Sequence, residues 1–298
     1  MDGREYSELA NKYRLLVEDE LKRIGSDEAE AIYPTLRKAM FYSLEAGGKR
    51  LRPCLMLAVC EMLGGDAEKA LPFACALEMI HTYSLIHDDL PCMDDDDMRR
   101  GRPSNHKVFG EATAVLAGDG LLSFAFELML SAAERSGEKS AVSAALEIAK
   151  RAGAAGMVTG QAADMEFEGS ENQTEDALRF IHVHKTADML TAAVIAGAIL
   201  AGADDKTLSS LRIYSEKMGM LFQITDDILD MKGDPKLMGK TLGKDKEQGK
   251  LTYASLLGLD GAAQAAKQAA DEALDAIKEI PGSGYLAATI ENMLVRSN

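Results

Sequence analysis

Tryptophan is absent from the 298 residues, and proline is scarce at seven. Alanine and leucine are abundant instead, so the backbone meets few obligatory breaks and helix is favoured. No convincing run alternates apolar and polar residues with period two, so half-buried strands are not expected. Cysteine occurs four times, at Cys54, Cys60, Cys75 and Cys92, with no Cys-x-x-Cys pair and no histidine spacing that completes a zinc pattern. Buried, reduced thiols in a cytoplasmic protein are the expectation. The segment Met1-Asp2-Gly3-Arg4-Glu5 has no apolar run with a basic flank, so no signal peptide is expected. The longest apolar stretch, residues 192–203, falls short of the ~20 residues that span a bilayer, so no membrane span is expected. Basic side chains are outnumbered 33 to 48, a net charge of −15. That balance argues against gripping a phosphate backbone, and no nucleic-acid partner is expected. Disorder is excluded as well, because 47% hydrophobic content is too high for it at this charge.

What is present is helical periodicity. Tyr6, Leu9, Ala10, Tyr13, Leu16, Val17, Leu21 and Ile24 recur at threes and fours and predict one buried helix face. Sixteen methionines suit irregular gaps between such helices. Turns or caps are predicted at Gly47-Gly48, Gly64-Gly65, Gly101–Pro103, Gly118–Gly120 and Ser136-Gly137. Thr174 reads as the N-cap of a helix through Phe180, and an Ala-rich helix follows residues 258–261. The polar segment 233–249 is long enough to read as a functional loop. Nothing resembles an interdomain linker. One all-α domain over residues 1–298, with about ten or more helices, is the expectation.

Acid is concentrated in two places. One run reads Asp88-Asp89-Leu90-Pro91-Cys92-Met93-Asp94-Asp95-Asp96-Asp97, the other Asp226-Asp227-Ile228-Leu229-Asp230. Asp226 and Asp230 are four apart, about 40° of offset on a helix, so both share one face. Like charges so placed repel unless a cation lies between them. Asp88 and Asp94 would diverge on a continuous helix, but Pro91 breaks the ladder and allows Asp94 to be re-aimed. Two facing oxygen-rich sites suit Mg²⁺. A calcium loop fails, because its glycine position is Arg99 and its terminal glutamate position is Asn105. Asp95, Asp96 and Asp97 read partly as a solvated face.

Cations cluster in Gly47-Gly48-Lys49-Arg50-Leu51-Arg52-Pro53, in Arg99-Arg100, at Lys185 beside Thr186, and at Lys240, Lys244 and Lys250. Taken singly, each is an ordinary surface cation; together they offer forks and point charges for phosphate. His81 lies seven residues before Asp88 and faces the same side, whereas His87 lies on another face and reads as structural. Gln161 and Asp164 read as polar groups lining a cavity, with a turn cap as the alternative for Asp164.

In chain order, Gly48–Pro53, Asp88–Gly101, Gly160-Gln161, Lys185-Thr186 and Phe222–Asp230 together resemble the trans-isoprenyl diphosphate synthases, closest to the bacterial farnesyl diphosphate synthase (geranyltranstransferase) type. The likeness runs through nearly the whole chain. It implies antiparallel helices around a central cavity, usually in a homodimer. It implies transfer of a prenyl group from dimethylallyl or geranyl diphosphate to isopentenyl diphosphate, giving farnesyl diphosphate (C15). By this resemblance Asp88, Asp89, Asp94, Asp226, Asp227 and Asp230 would hold or orient three Mg²⁺ ions, with Mn²⁺ as a substitute. Direct ligation is least expected of Asp227 and Asp230. Arg99, Lys185 and Lys240 would contact the allylic diphosphate, with Lys250 close by. Gly48, Lys49, Arg52, His81 and Arg100 would receive isopentenyl diphosphate. Lys185, Thr186 and Gln223 would face the allylic cation.

Tyr83 and Ser84, five and four residues before Asp88, would set product length. A ring at Tyr83 favours C15, while the small Ser84 leaves geranylgeranyl diphosphate (C20) as the alternative. A non-catalytic regulatory subunit would be expected to have lost one acidic motif or its basic partners. A terpene cyclase would not need Lys49, Arg52 and His81.

Overall fold

The computed structural model describes residues 1–168, 170, 174–232 and 252–297. Helix α1 (Gly3–Arg23) starts on a capping box: the Asp2 carboxylate accepts from the Arg4 and Glu5 amides, and Glu5 reaches back to the Asp2 amide. Tyr13, Val17, Leu21 and Ile24 are buried as the periodicity predicts, but Leu16 is exposed. A short π segment (Ile24–Glu28) leads to α2 (Pro34–Leu44), which opens on a proline whose missing N–H no helical bond requires. The chain turns through Gly47 and Gly48, at φ 79° and 126°, and a left-handed Arg50 into α3 (Leu51–Met62). Helix α4 (Ala67–Asp88) follows, capped by Asp66.

Beyond α4 the chain forms the one departure from helix among the described residues. Strands β1 (Met98–Arg99) and β2 (Arg102–Pro103) pair antiparallel, with Arg99 opposite Arg102. Arg100 and Gly101 both have positive φ, as a tight two-residue hairpin requires. Two-residue strands are too short to leave a period-2 signal. Then come α5 (Asn105–Phe109), α6 (Glu111–Ser136), α7 (Lys139–Ala152), α8 (Met157–Phe167) and α9 (Glu175–Ile181), the last capped by Thr174 as expected. Helix α6 runs unbroken through Gly118–Gly120, where a turn was expected; a Cβ on Gly118 would lie 2.1 Å from His87 Nε2, so close packing accounts for that glycine. A second π segment (His182–Ala187) joins α9 to α10 (Asp188–Leu200). Helices α11 (Asp205–Lys232), α12 (Tyr253–Ile277) and α13 (Gly284–Ser297) complete the all-α fold. The Ala-rich helix begins before Gly258, which breaks α12 at φ 70°.

Helices α3 and α10 are apolar on nearly every side and accordingly lie inside the helical array. Helix α10 packs against α3, α7 and α11, α4 packs against α3 and α6, and α12 runs along α11. One cluster of buried side chains extends from Tyr13 to Met293; each large aliphatic member contributes roughly 1.5–3 kcal/mol. By length and composition alone two helices are apolar enough to cross a membrane, α6 and the run Glu175–Leu200. In the second, 72% of the most apolar window is buried, so its hydrophobicity serves the core. Cys54, Cys60 and Cys75 are buried, and burial pushes the Cys54 thiol up to about 12. Cys92 is exposed, contrary to expectation, because it lies in the turn after Pro91.

Candidate active site

Helix α4 stops at Asp88, three residues before Pro91, as the steric demand of proline favours. The turn that follows folds back, and the Asp94 amide donates to the Asp88 carbonyl at 2.9 Å. Asp88 and Asp94 thereby line one cavity of about 880 Å³. Asp226 and Asp227 reach the same cavity from α11, and Lys185 and Thr186 from the second π segment. Arg52, His81, Tyr83, Ser84, Arg99, Gln161, Asp164 and Gln223 complete the expected lining. A π turn inserts an extra residue into a helix and re-aims its side chains; such turns are frequent at functional sites.

Electrostatics divide the cavity. Burial pushes the Asp88 carboxyl up to about 6; Lys185 and Arg99 oppose this, while Asp94 and Asp89 add to it. Burial pulls Lys185 down, but Asp164 and Asp88 outweigh it and hold the ammonium above the usual lysine range. Lys185 donates to Asp164 at 2.5 Å. Burial, aided by the Arg100 charge and opposed by Glu78, lowers the Arg52 guanidinium to about 10. His81 is kept neutral by burial and then by the positive field of Arg52. The acid-rich wall attracts cations, and the Arg52–His81 wall attracts anions.

A hydrogen-bonded chain fixes the polar groups between these walls. The Asp227 carboxylate accepts from the Tyr253 amide at 2.9 Å and from the Gln223 amide nitrogen at 3.1 Å. With its nitrogen so held, Gln223 offers its carbonyl to the Thr186 hydroxyl at 2.9 Å. Both Asp227 oxygens are thus engaged, and it acts as an anchor for Gln223 more than as an open metal ligand.

Several expected residues lie elsewhere. Asp89 does not line the large cavity. Asp89 is 2% exposed and its carboxylate grips the Arg99 guanidinium in a fork, which orients Arg99. Asp230 lies one turn beyond the lining residues of α11. Gly48 and Lys49 are exposed at the turn before α3, and Arg100 folds over that turn, donating to the Gly47 carbonyl at 2.7 Å. Lys240, Lys244, Lys250 and the polar segment 233–249 lie outside the described residues.

Sequence reasoning missed three groups. Glu78, the lone acid within residues 70–86, is buried against Arg50 at 2.6 Å; an isolated acid in so apolar a helix was the available signal. His182 lines the cavity, and burial depresses it to about 3. His87, read as structural, also lines the cavity while its Nε2 meets the Val115 carbonyl at 3.0 Å. Asp95, Asp97 and His106 form a third cluster, with ligand atoms within 4.8 Å of one another, and Asp97 also pairs with Lys107 at 2.7 Å.

Residues 33–283 match the polyprenyl synthetase family model. The chain belongs to the polyprenyl synthetase family. Synthetases of known name are close to it in sequence. A farnesyl diphosphate synthase of Bacillus subtilis (strain 168) is 55% identical over 230 residues, 76% of this chain and 77% of that protein. A chloroplastic geranylgeranyl pyrophosphate synthase of Catharanthus roseus is 49% identical over 244 residues, 82% and 68% of the two chains. Among solved structures, a geranyltransferase of Helicobacter pylori complexed with magnesium and isoprenyl diphosphate superimposes with a TM-score of 0.83 at 34% identity, covering 98% of this chain and 96% of that one. Like them, this synthetase is a prenyltransferase.

Proposed function

We propose that the protein joins isopentenyl diphosphate to dimethylallyl and geranyl diphosphate and releases farnesyl diphosphate. The observation that carries this reading is one cavity with two acid-bearing helices at one wall and the half-buried Arg52 and His81 at another. Asp88, Asp94 and Asp226 present hard oxygen donors to one space, and burial, with Asp94 and Asp89 adding to it, raises the Asp88 carboxyl, a cost that a divalent cation relieves. Three Mg²⁺ ions are proposed there by family resemblance, and Mg²⁺ would supply neutralisation of the leaving diphosphate.

The chain's own residues do the rest. Arg99, held by Asp89, and Lys185, held by Asp164, orient the allylic diphosphate. Arg52 and His81 receive the second diphosphate, with Lys49, Gly48 and Arg100 at the rim. Because the Thr186 proton points to Gln223, its oxygen turns lone pairs toward the cavity, where positive charge develops on the allylic carbon. By the family resemblance, the departing diphosphate would take the proton.

Tyr83 is 8% exposed and stands edge-on to His87 at 5.7 Å, so its ring forms a firm wall for a growing chain. This supports C15. The resemblance to geranylgeranyl pyrophosphate synthases keeps C20 as the second reading. We also propose a single domain over residues 1–298, a homodimer and a cytoplasmic site. The domain is supported by the continuous core, the homodimer by exposed Leu116 and Leu130 on α6 with Val142 and Leu146 on α7, and the compartment by four free thiols. Incubation with Mg²⁺, geranyl diphosphate and isopentenyl diphosphate, followed by chromatography, tests the activity. Farnesyl diphosphate is the expected product, and absence of any condensation product overturns the reading.

A further inference from the structure

We infer that Glu78 is a positioning residue for the second diphosphate, an inference that rests on the proposed condensation. Glu78 lies in α4, three residues before His81, and is 2% exposed. Its Oε1 accepts from Arg50 Nη1 at 2.6 Å and lies 3.7 Å from Arg100 Nη2. Arg50 is itself buried in a left-handed conformation and donates to the Leu44 carbonyl at 2.6 Å. Arg100 donates to the Gly47 carbonyl and covers Gly48 so closely that a Cβ there would lie 3.0 Å from its guanidinium carbon. One carboxylate therefore ties together the end of α2, the glycine turn, α4 and the β1–β2 hairpin.

The cluster is under-neutralised. Two guanidiniums, of Arg50 and Arg100, share one buried carboxylate, whose field also reaches the Arg52 guanidinium. The Arg52 Nε is buried and has no hydrogen-bond partner among the described residues. A buried donor of that kind is costly unless an anion arrives to meet it. Glu78 does not reach the cavity, so it acts through the arginines it holds. Its removal has two opposed consequences. The pocket becomes more positive, which alone would tighten anion binding. Arg50 loses its partner, and an uncompensated buried charge reorganises its surroundings to reach water. The turn and the hairpin then move, and with them the frame around Arg52. Positioning predicts that the geometric loss outweighs the gain in charge.

Glu78→Gln separates these effects. The KM for isopentenyl diphosphate should rise about tenfold or more, with a clearly smaller rise in the KM for geranyl diphosphate, whose Arg99 lies in the same hairpin. Glu78→Asp should recover part of the loss. Calorimetric titration of inorganic pyrophosphate in EDTA, which leaves the aspartates without metal, should show the same loss of affinity. Unchanged or tighter binding overturns the inference. So does a double variant, Glu78→Gln with Arg50→Met, that regains both melting temperature and wild-type affinity, since the role would then be structural alone. The double variant also carries the test if the single one does not fold. Should the wild-type protein form no condensation product, the reaction assignment fails separately, while the pyrophosphate titration still decides the role of Glu78.

Discussion

Asp88 is held between burial, which disfavours its charge, and Lys185 with Arg99, which favour it. Burial wins, and the group titrates near 6 in the metal-free protein. A carboxyl raised on folding contributes stability that is complete below its unfolded value, near 4, and lost as the pH rises through about 6. Asp88→Asn removes that loss. Its melting temperature in EDTA should match the wild type near pH 4 and exceed it increasingly up to pH 6; parallel melting curves would contradict the placement. Turnover in Mg²⁺ should fall in acid, as protons compete for the same oxygens, with a midpoint below about 6 that moves lower as Mg²⁺ is raised. Tyr83 supports a second residue-scale prediction. Tyr83→Ala opens the wall that His87 steadies, so chromatography should show products longer than C15, and an unchanged product would sink the wall argument.

At the scale of elements, the second π segment is locked by close backbone approach. A Cβ on Gly160 of α8 would lie 2.2 Å from the Lys185 amide nitrogen, and one on Gly219 of α11 would lie 2.3 Å from the Ala187 Cβ. Gly160→Ala therefore cannot be absorbed without shifting the segment that carries Lys185 and Thr186. The expected cost is roughly 1–3 kcal/mol of stability, with a larger proportional loss of turnover. Gly3→Ala, at a position where a Cβ meets nothing within 4 Å, is the control and should melt like the wild type. Thermal denaturation and initial rates on the same preparations check both. Much of this level was legible in the sequence. The repeats at threes and fours give the helices, and Pro91 gives the end of α4 with the return of Asp94. The π segment was not legible, because its composition is ordinary helix and tertiary packing alone selects the wider turn. The pairing of Asp89 with Arg99 was also hidden, since a motif shows which carboxylates are present but not which one a neighbouring arginine claims.

For the whole molecule, the net charge of −15 is misleading about the site. The two acidic clusters and their cations come near to balance, and most of the excess acid lies elsewhere. Exposure was hardest to read at this scale: Leu16 and Cys92 were expected inside, yet a chain cannot cover all its apolar surface. Apolar residues on the outward faces of α6 and α7 lead to a prediction about assembly. Leu130→Glu, at a position 58% exposed, should leave the fold intact but halve the mass measured by light scattering at micromolar concentration; an undiminished mass removes α6 from the proposed dimer contact.

On the proposed reading, the hairpin at residues 98–103 couples two recognition events. Arg99 reaches the metal-side wall through Asp89, while Arg100, the next residue, belongs to the Glu78 cluster. A single peptide plane separates them, and the tight turn leaves it little freedom to rotate independently. Occupancy of one diphosphate position therefore biases the backbone that serves the other. Linkage requires that bias to be mutual: pyrophosphate on the acidic side must alter the affinity for isopentenyl diphosphate by the same factor that isopentenyl diphosphate alters the affinity for pyrophosphate.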